Sequence, residues 1–175
     1  VEQGEIYPVY ACSGTNLDGV DLLLDAIVFS APSPEQAGSE KAENDNGDEI
    51  EVKCDPNGPL AAICFKTVAD PFVGKMSYVK VISGKITAEV PAFNARTGES
   101  ERMGKLISVR GSKQEDIAAI TAGDIGVITK LSGLATGDTI CNSKNIIKLS
   151  GVDFPAPSLS MAIVVKKKGE EDKVA

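Results

Sequence analysis

The stretch that most constrains the fold is residues 60–84, LAAICFKTVADPFVGKMSYVKVISG. Residues 60–68 are rich in apolar side chains. From 75 to 82 the chain sets Lys75, Ser77 and, less cleanly, Val79 against Met76, Tyr78 and Lys80. Alternation of period two with Val, Ile and Tyr is a strand signal. Between the two runs, Asp70-Pro71 breaks the pattern, because proline lacks an N–H and fixes its own φ. Gly74 then supplies the backbone freedom for a turn or bulge. The stretch reads as two strands joined by a tight polar corner, which commits the middle of the chain to an antiparallel sheet.

The 175 residues are enough for one domain or one and a half, and 42% hydrophobic content allows a sizeable core. No run of eighteen apolar residues exists, so no membrane helix is expected. The first residues, VEQGEIYPVY, are acidic, lack a signal-peptide pattern and begin with Val. We therefore expect a piece of a longer chain. Histidine is absent, which removes the commonest general base and zinc ligand. Cys12, Cys54, Cys64 and Cys141 form no C-x-x-C pair and read as free thiols in a reducing cytosol. The net charge of −7 is uneven: residues 1–58 carry 13 acids and 2 bases, whereas residues 59–155 carry 12 bases and 9 acids. The acidic total argues against nucleic acid; the middle segment by itself does not.

In chain order, residues 5–11 read as a short strand and 17–29 as a helix, with Val20, Leu23, Leu24, Ile27 and Val28 at helical spacing. Pro32 and Pro34 stop it. Residues 35–59 are acidic with few large apolar side chains and read as a mobile linker, with 50–52 pairing briefly as an edge strand. Residues 86–90 pair with a later strand, and 91–99 form a loop with Thr97-Gly98 at its tip. Met103, Leu106, Ile107 and Val109 are core candidates, and 113–120 reads as one or two helical turns. In TAGDIGVITKLSGLATGDTIC the glycines punctuate short strands at barrel-like spacing. Residues 158–165 read as one more strand, and Lys166-Lys167-Lys168 as a phosphate patch or, more simply, a solvated tail. The expected fold is mainly β, a small antiparallel barrel with one flanking helix. There is no G-x-x-x-x-G-K-[ST] phosphate loop, no Asn-Lys-x-Asp guanine signature, no nucleophile–base pair and no metal set. No catalytic residue and no metal ligand is therefore expected.

An apolar strand ending in Phe65-Lys66, then ADPFVGK, then a strand ending in Ser83-Gly84, resembles the second domain of the elongation factor G family of translation GTPases. The Ala122-Gly123-Asp124-Ile125-Gly126 and Thr136-Gly137-Asp138-Thr139 elements resemble the same barrel. The resemblance implies residues 1–34 as the end of a G domain, 35–59 as linker, 60–154 as the barrel and 155–175 as the start of a third domain. It places Ser13-Gly14 where the family puts the Ser-Ala pair whose backbone holds guanine; a plain strand-to-helix turn is the alternative. It implies GTP and magnesium as cofactors of the parent and none for this piece. The implied partners are small-subunit ribosomal RNA, the parent's own G domain and its third domain, in the cytoplasm and without a membrane. RNA contact is expected from Lys75, Arg96, Arg102 and Lys105, in and near the loop 94–105. The orphaned end strands could also pair between copies. The family's Met-His-Ala-Asn run is replaced by Val109-Arg110-Gly111-Ser112, which leaves a divergent paralogue open. A ribosome-protection factor of the tetracycline-resistance type and a free-standing β-barrel binding module remain as alternatives.

Overall fold

The computed structural model describes residues 5–165. One helix, α1 (Val20–Ser30), precedes thirteen strands. These are β1 (Ser39–Asn44), β2 (Glu49–Lys53), β3 (Ala61–Asp70), β4 (Gly74–Ser83), β5 (Lys85–Thr87), β6 (Ala92–Asn94) and β7 (Glu99–Glu101). They continue with β8 (Leu106–Arg110), β9 (Lys113–Ile117), β10 (Ala119–Thr121), β11 (Ile125–Thr129), β12 (Thr139–Cys141) and β13 (Ile147–Leu149). All pairings are antiparallel. The largest sheet runs β7-β6-β12-β3-β4-β11-β8-β9, with β10-β5 and β13-β1-β2 as smaller sheets. This is the mainly-β, barrel-type architecture that the sequence pattern predicts.

The β3–β4 hairpin is the spine, at the centre of the large sheet. Its corner closes at the Asp70↔Gly74 pair, with Gly74 at φ 83°. The Asp70 carboxylate accepts the Phe72 and Val73 amides, both at 2.8 Å. Those hydrogen bonds, Val73 first, hold the carboxyl below its ordinary range. A register shift between Cys64 and Lys66 bulges β3. Both faces of β4 are covered. Val79 and Val81 join Ala62, Cys64, Ile86, Ile120, Ile128 and Ile140 in the main core. On the other face Met76 packs with Ile107 and Val127, flanked by Tyr78. A strand buried on two faces loses its clean alternation, which is why Val79 broke the pattern. Gly84 closes the unit at φ 74°, where a Cβ would come within 2.8 Å of Leu60 Cα; only glycine fits there.

Several expectations need correction. Residues 35–59 are not an unstructured linker. They form the β1–β2 hairpin, and β1 pairs with β13 on its other side. Ala42 and Val52 are buried with Ala61, Ile82, Cys141 and Ile147. The inward positions are few and small, so composition hid a strand pattern that needs only alternate residues to be apolar. Asn44 makes the turn, its Oδ1 accepting the Asn46 and Asp48 amides, both at 2.9 Å. The expected edge strand at 50–52 is present within β2. Residues 113–120 are not helical: β9 returns antiparallel along β8 through the two-residue turn Gly111-Ser112, with Gly111 at φ 60°.

The helix begins at Val20 rather than 17, because Leu17 and Gly19 both take left-handed backbone. Its Leu22, Leu24, Ile27, Val28 and Phe29 side chains are exposed. Residues 5–11 and 158–165 carry no strand: neither lies against a sheet edge, and a strand without a ladder leaves its backbone groups to water. They too expose apolar side chains, among them Tyr7, Val9, Leu159 and Ile163. Lys166, Lys167 and Lys168 fall outside the described residues. The four cysteines are free, Cys64 and Cys141 being buried. Burial pushes both of those thiols up.

Limited proteolysis should begin before Ser39 and after Ser150 and leave residues 39–150 intact. Ile147→Ala should cost about 2–5 kcal/mol in urea unfolding and expose the β1–β2 turn to cleavage. Early cutting inside 39–58 of the unmutated chain would contradict the packed hairpin.

Candidate nucleic-acid interface

The β6–β7 hairpin carries the loop expected to meet RNA. Its turn is built on Asn94, which is buried. Asn94 Oδ1 accepts the Arg96 amide at 2.9 Å, its backbone oxygen accepts the Gly98 amide at 2.9 Å, and Gly98 sits at φ 72°. The Asn94 Nδ2 donates to Asp138 Oδ2 at 2.8 Å. Arg96 reaches the same carboxylate from outside, Nε to Oδ1 at 2.6 Å and an η nitrogen to Oδ2 at 2.9 Å. The Ala135 amide is a further donor to Oδ2, at 2.8 Å. Asp138 is only 5% exposed, whereas the Arg96 side chain is 58% exposed. Burial pushes the Asp138 carboxyl up. The hydrogen bonds from Arg96, Ala135 and Asn94, with the guanidinium charge, outweigh burial and hold it below the ordinary carboxylate range.

A second clamp fixes the neighbouring loop, residues 130–138. Glu101 of β7 accepts the Ser132 amide at 2.8 Å, the Ser132 hydroxyl at 3.1 Å and the Gly133 amide at 2.7 Å. From the other side, Lys75 of β4 donates to the Ser132 and Leu134 carbonyls at 2.8 and 2.7 Å. Leu131 and Leu134 anchor the loop in the main core. Lys130 opens it with φ 65°, an uncommon conformation for a lysine, and its amide donates to Lys75 O at 3.3 Å. The loop thus joins the β6–β7 hairpin to the β3–β4 hairpin along one continuous rim.

The expected RNA contacts fare unequally. Lys75 spends its ammonium donors on two carbonyls of the rim loop. Arg96 is held bidentately by Asp138. Lys105 pairs with Asp116 at 2.6 Å, but both side chains are well exposed, so the pair is weak and exchangeable. Arg102 is exposed and makes no hydrogen bond or ion pair among the described residues. The side chain of Lys130, unremarked in the sequence, is likewise exposed and without a partner among the described residues, and it lies on the rim. Asp138 and Glu101, which organise the rim, were also missed. Their signal was a Gly-Asp-Thr motif and an acid between two basic residues, neither of which names its partner. At the other end of the chain, Ser13 and Gly14 lie in a turn before α1 and not near the rim loop in sequence or ladder. The Ser13 amide donates to Asp18 O at 3.0 Å, and Ser13 Oγ accepts the Asn16 amide at 3.2 Å. A Cβ at Gly14 would meet nothing within 4 Å, so an alanine would fit.

Residues 59–143 match the family described as elongation factor G domain 2. Elongation factor G of Ureaplasma parvum serovar 3 is 37% identical over 171 residues, which is 98% of this chain and 25% of that protein. Elongation factor G of Ureaplasma urealyticum serovar 10 is 36% identical over the same coverage. The chain therefore spans about a quarter of the length of these curated relatives. A crystal structure from Thermus thermophilus shares the fold with TM-score 0.64 and 25% identity, over 90% of this chain and 21% of that one.

Asp138→Asn should destabilise the barrel by about 1–3 kcal/mol in urea unfolding, because buried donors lose a charged acceptor. Arg96→Ala removes a cation and also strips Asp138 of its partner, so a binding loss in that variant would be ambiguous. The pH dependence follows from the depressed carboxyl. Below the unfolded value of about 3.9 the unfolded chain takes up a proton that the folded chain does not, so stability falls with pH until Asp138 itself protonates. Unfolding measured from pH 5 downward should show a steeper loss for the natural chain than for Asp138→Asn.

Proposed function

This chain belongs to the elongation factor G family, and we propose that it serves there as the non-catalytic β-barrel of a ribosomal GTPase, docking on small-subunit RNA and bracing the G domain. The observation that carries the docking part is the rim itself. Two cations without a side-chain partner among the described residues, Arg102 and Lys130, stand on loops held by Glu101, Asp138 and Lys75. Side chains on loops fixed by a rigid scaffold are suited to recognition. Contacts of this kind meet phosphates and follow RNA shape, with little base preference. In the parent, GTP and magnesium would be held by segments other than this one, with Ser13-Gly14 contributing backbone to the guanine. The apolar side chains of α1 and of residues 152–164 would face the G domain and the third domain. The parent would act in the cytoplasm, in ribosomal translocation.

Two measurements check this reading. With the intact parent on small subunits, Arg102→Ala plus Lys130→Gln should weaken binding. The slope of log affinity against log salt should fall by roughly 0.7 to 0.9 for each phosphate that the variant no longer neutralises. An unchanged slope would remove the rim from the RNA-binding surface. For residues 1–175 by themselves, titration with a fluorescent GTP analogue should give no micromolar binding; saturation in that range would overturn the non-catalytic assignment.

A further inference from the structure

At the tip of the β3–β4 hairpin stands Phe72, 94% exposed. A large apolar ring held in water is costly to maintain, and this one is not on a floppy loop. Pro71 precedes it, and Asp70 Oδ1 accepts both the Phe72 and Val73 amides, so the backbone that carries the ring is locked. Val73, next in the chain, folds back onto the Met76 cluster and pins the corner from below.

At the foot of this tip lies an open groove of about 640 Å³, lined by Thr67, Gly74, Lys75, Lys130, Leu131 and Ser132 among others. It is the same rim: Lys75 and Glu101 hold Ser132 from its two sides, which brings the groove next to the end of β7, where Arg102 follows Glu101 in the chain. The Lys130 and Arg102 side chains are unpaired among the described residues, and the Lys75 ammonium bonds only to carbonyls. A rigid exposed aromatic beside a groove edged with cations matches the two demands of an unpaired nucleotide, a flat face to stack on and a positive track for the phosphates.

We propose that Phe72 is a stacking platform for an unpaired RNA base, with the adjoining phosphates running along the groove past Lys130 toward Arg102. This rests on the RNA-docking reading and adds a second, non-electrostatic contact to it. The charge complementarity of the rim favours RNA over a protein pocket as the occupant. A stacked base needs a π face, whereas an apolar protein pocket accepts any side chain of similar bulk. The ring is almost fully exposed, so its replacement leaves the packing of the barrel intact.

The test is an NMR titration of residues 1–175 at low salt, about 50 mM, with an unstructured single-stranded RNA of about 12 nucleotides. The proposal expects shifts at residues 70–75 and 130–133. It also expects Phe72→Ala to weaken binding at least about five-fold, the loss of one stacked base. Phe72→Trp should bind as well as the natural chain, and Phe72→Leu as poorly as the alanine variant. Full affinity in Phe72→Ala, with a loss in Arg102→Ala, would overturn the stacking and leave the docking reading standing. Full affinity in Phe72→Leu would overturn the stacking, because leucine keeps apolar bulk but has no π face. No binding by the natural chain would overturn both.

Discussion

One buried carboxylate ties one rim of this barrel together. Asp138 accepts from the Asn94 amide group, the Arg96 guanidinium and the Ala135 amide, so the β6–β7 turn, more than forty residues away in sequence, and the loop before β12 meet at one side chain. A buried charge is tolerated only when it is fully partnered, and here its partners are the turn of β6–β7 and the loop before β12. Each segment is therefore held in place by the same requirement. Glu101 repeats the arrangement at the neighbouring amides, and Lys75 closes it from the β4 side. The result is a rim whose loops are hydrogen-bonded through both backbone and side chains, with Arg102, Lys130 and Phe72 left exposed.

The fold was legible where periodicity is a local property. The β3–β4 hairpin, its Asp-Pro corner and the glycine-punctuated strands after residue 121 could be read directly from side-chain alternation and turn chemistry. Two regions misled for opposite reasons. In 39–53 only Ala42, Ile50 and Val52 among many acids carry the strand pattern, and the partner that stabilises it, β13, lies about a hundred residues away. In 113–120 the charged run suited a helix as well as an edge strand, and pairing with β8 decided between them. At the chain ends the error ran the other way: residues 5–11 and 158–165 have strand composition, but no sheet edge is there to receive them.

The site was less legible than the fold. Arg96 and Lys75 were recognisable as cations near a loop, yet nothing local says that a cation is already satisfied. That depends on where Asp138 and the carbonyls of Ser132 and Leu134 arrive in three dimensions. Ion pairing and hydrogen bonding thus divide the basic residues of the barrel into structural ones and unspent ones. Arg102 and Lys130 are unspent, and among the described residues Lys85, Lys113, Lys144 and Lys148 are unspent as well; what sets Arg102 and Lys130 apart is that they flank the immobilised loops at Glu101 and Ser132.

The most direct measurement is the structure of the intact parent factor bound to a ribosome. The account predicts small-subunit RNA against this rim, with phosphates within reach of Arg102 and Lys130 and the Asp138 network unchanged from the free chain. A complex in which the rim faces open solvent, or in which Arg96 leaves Asp138 to take a phosphate, would contradict it.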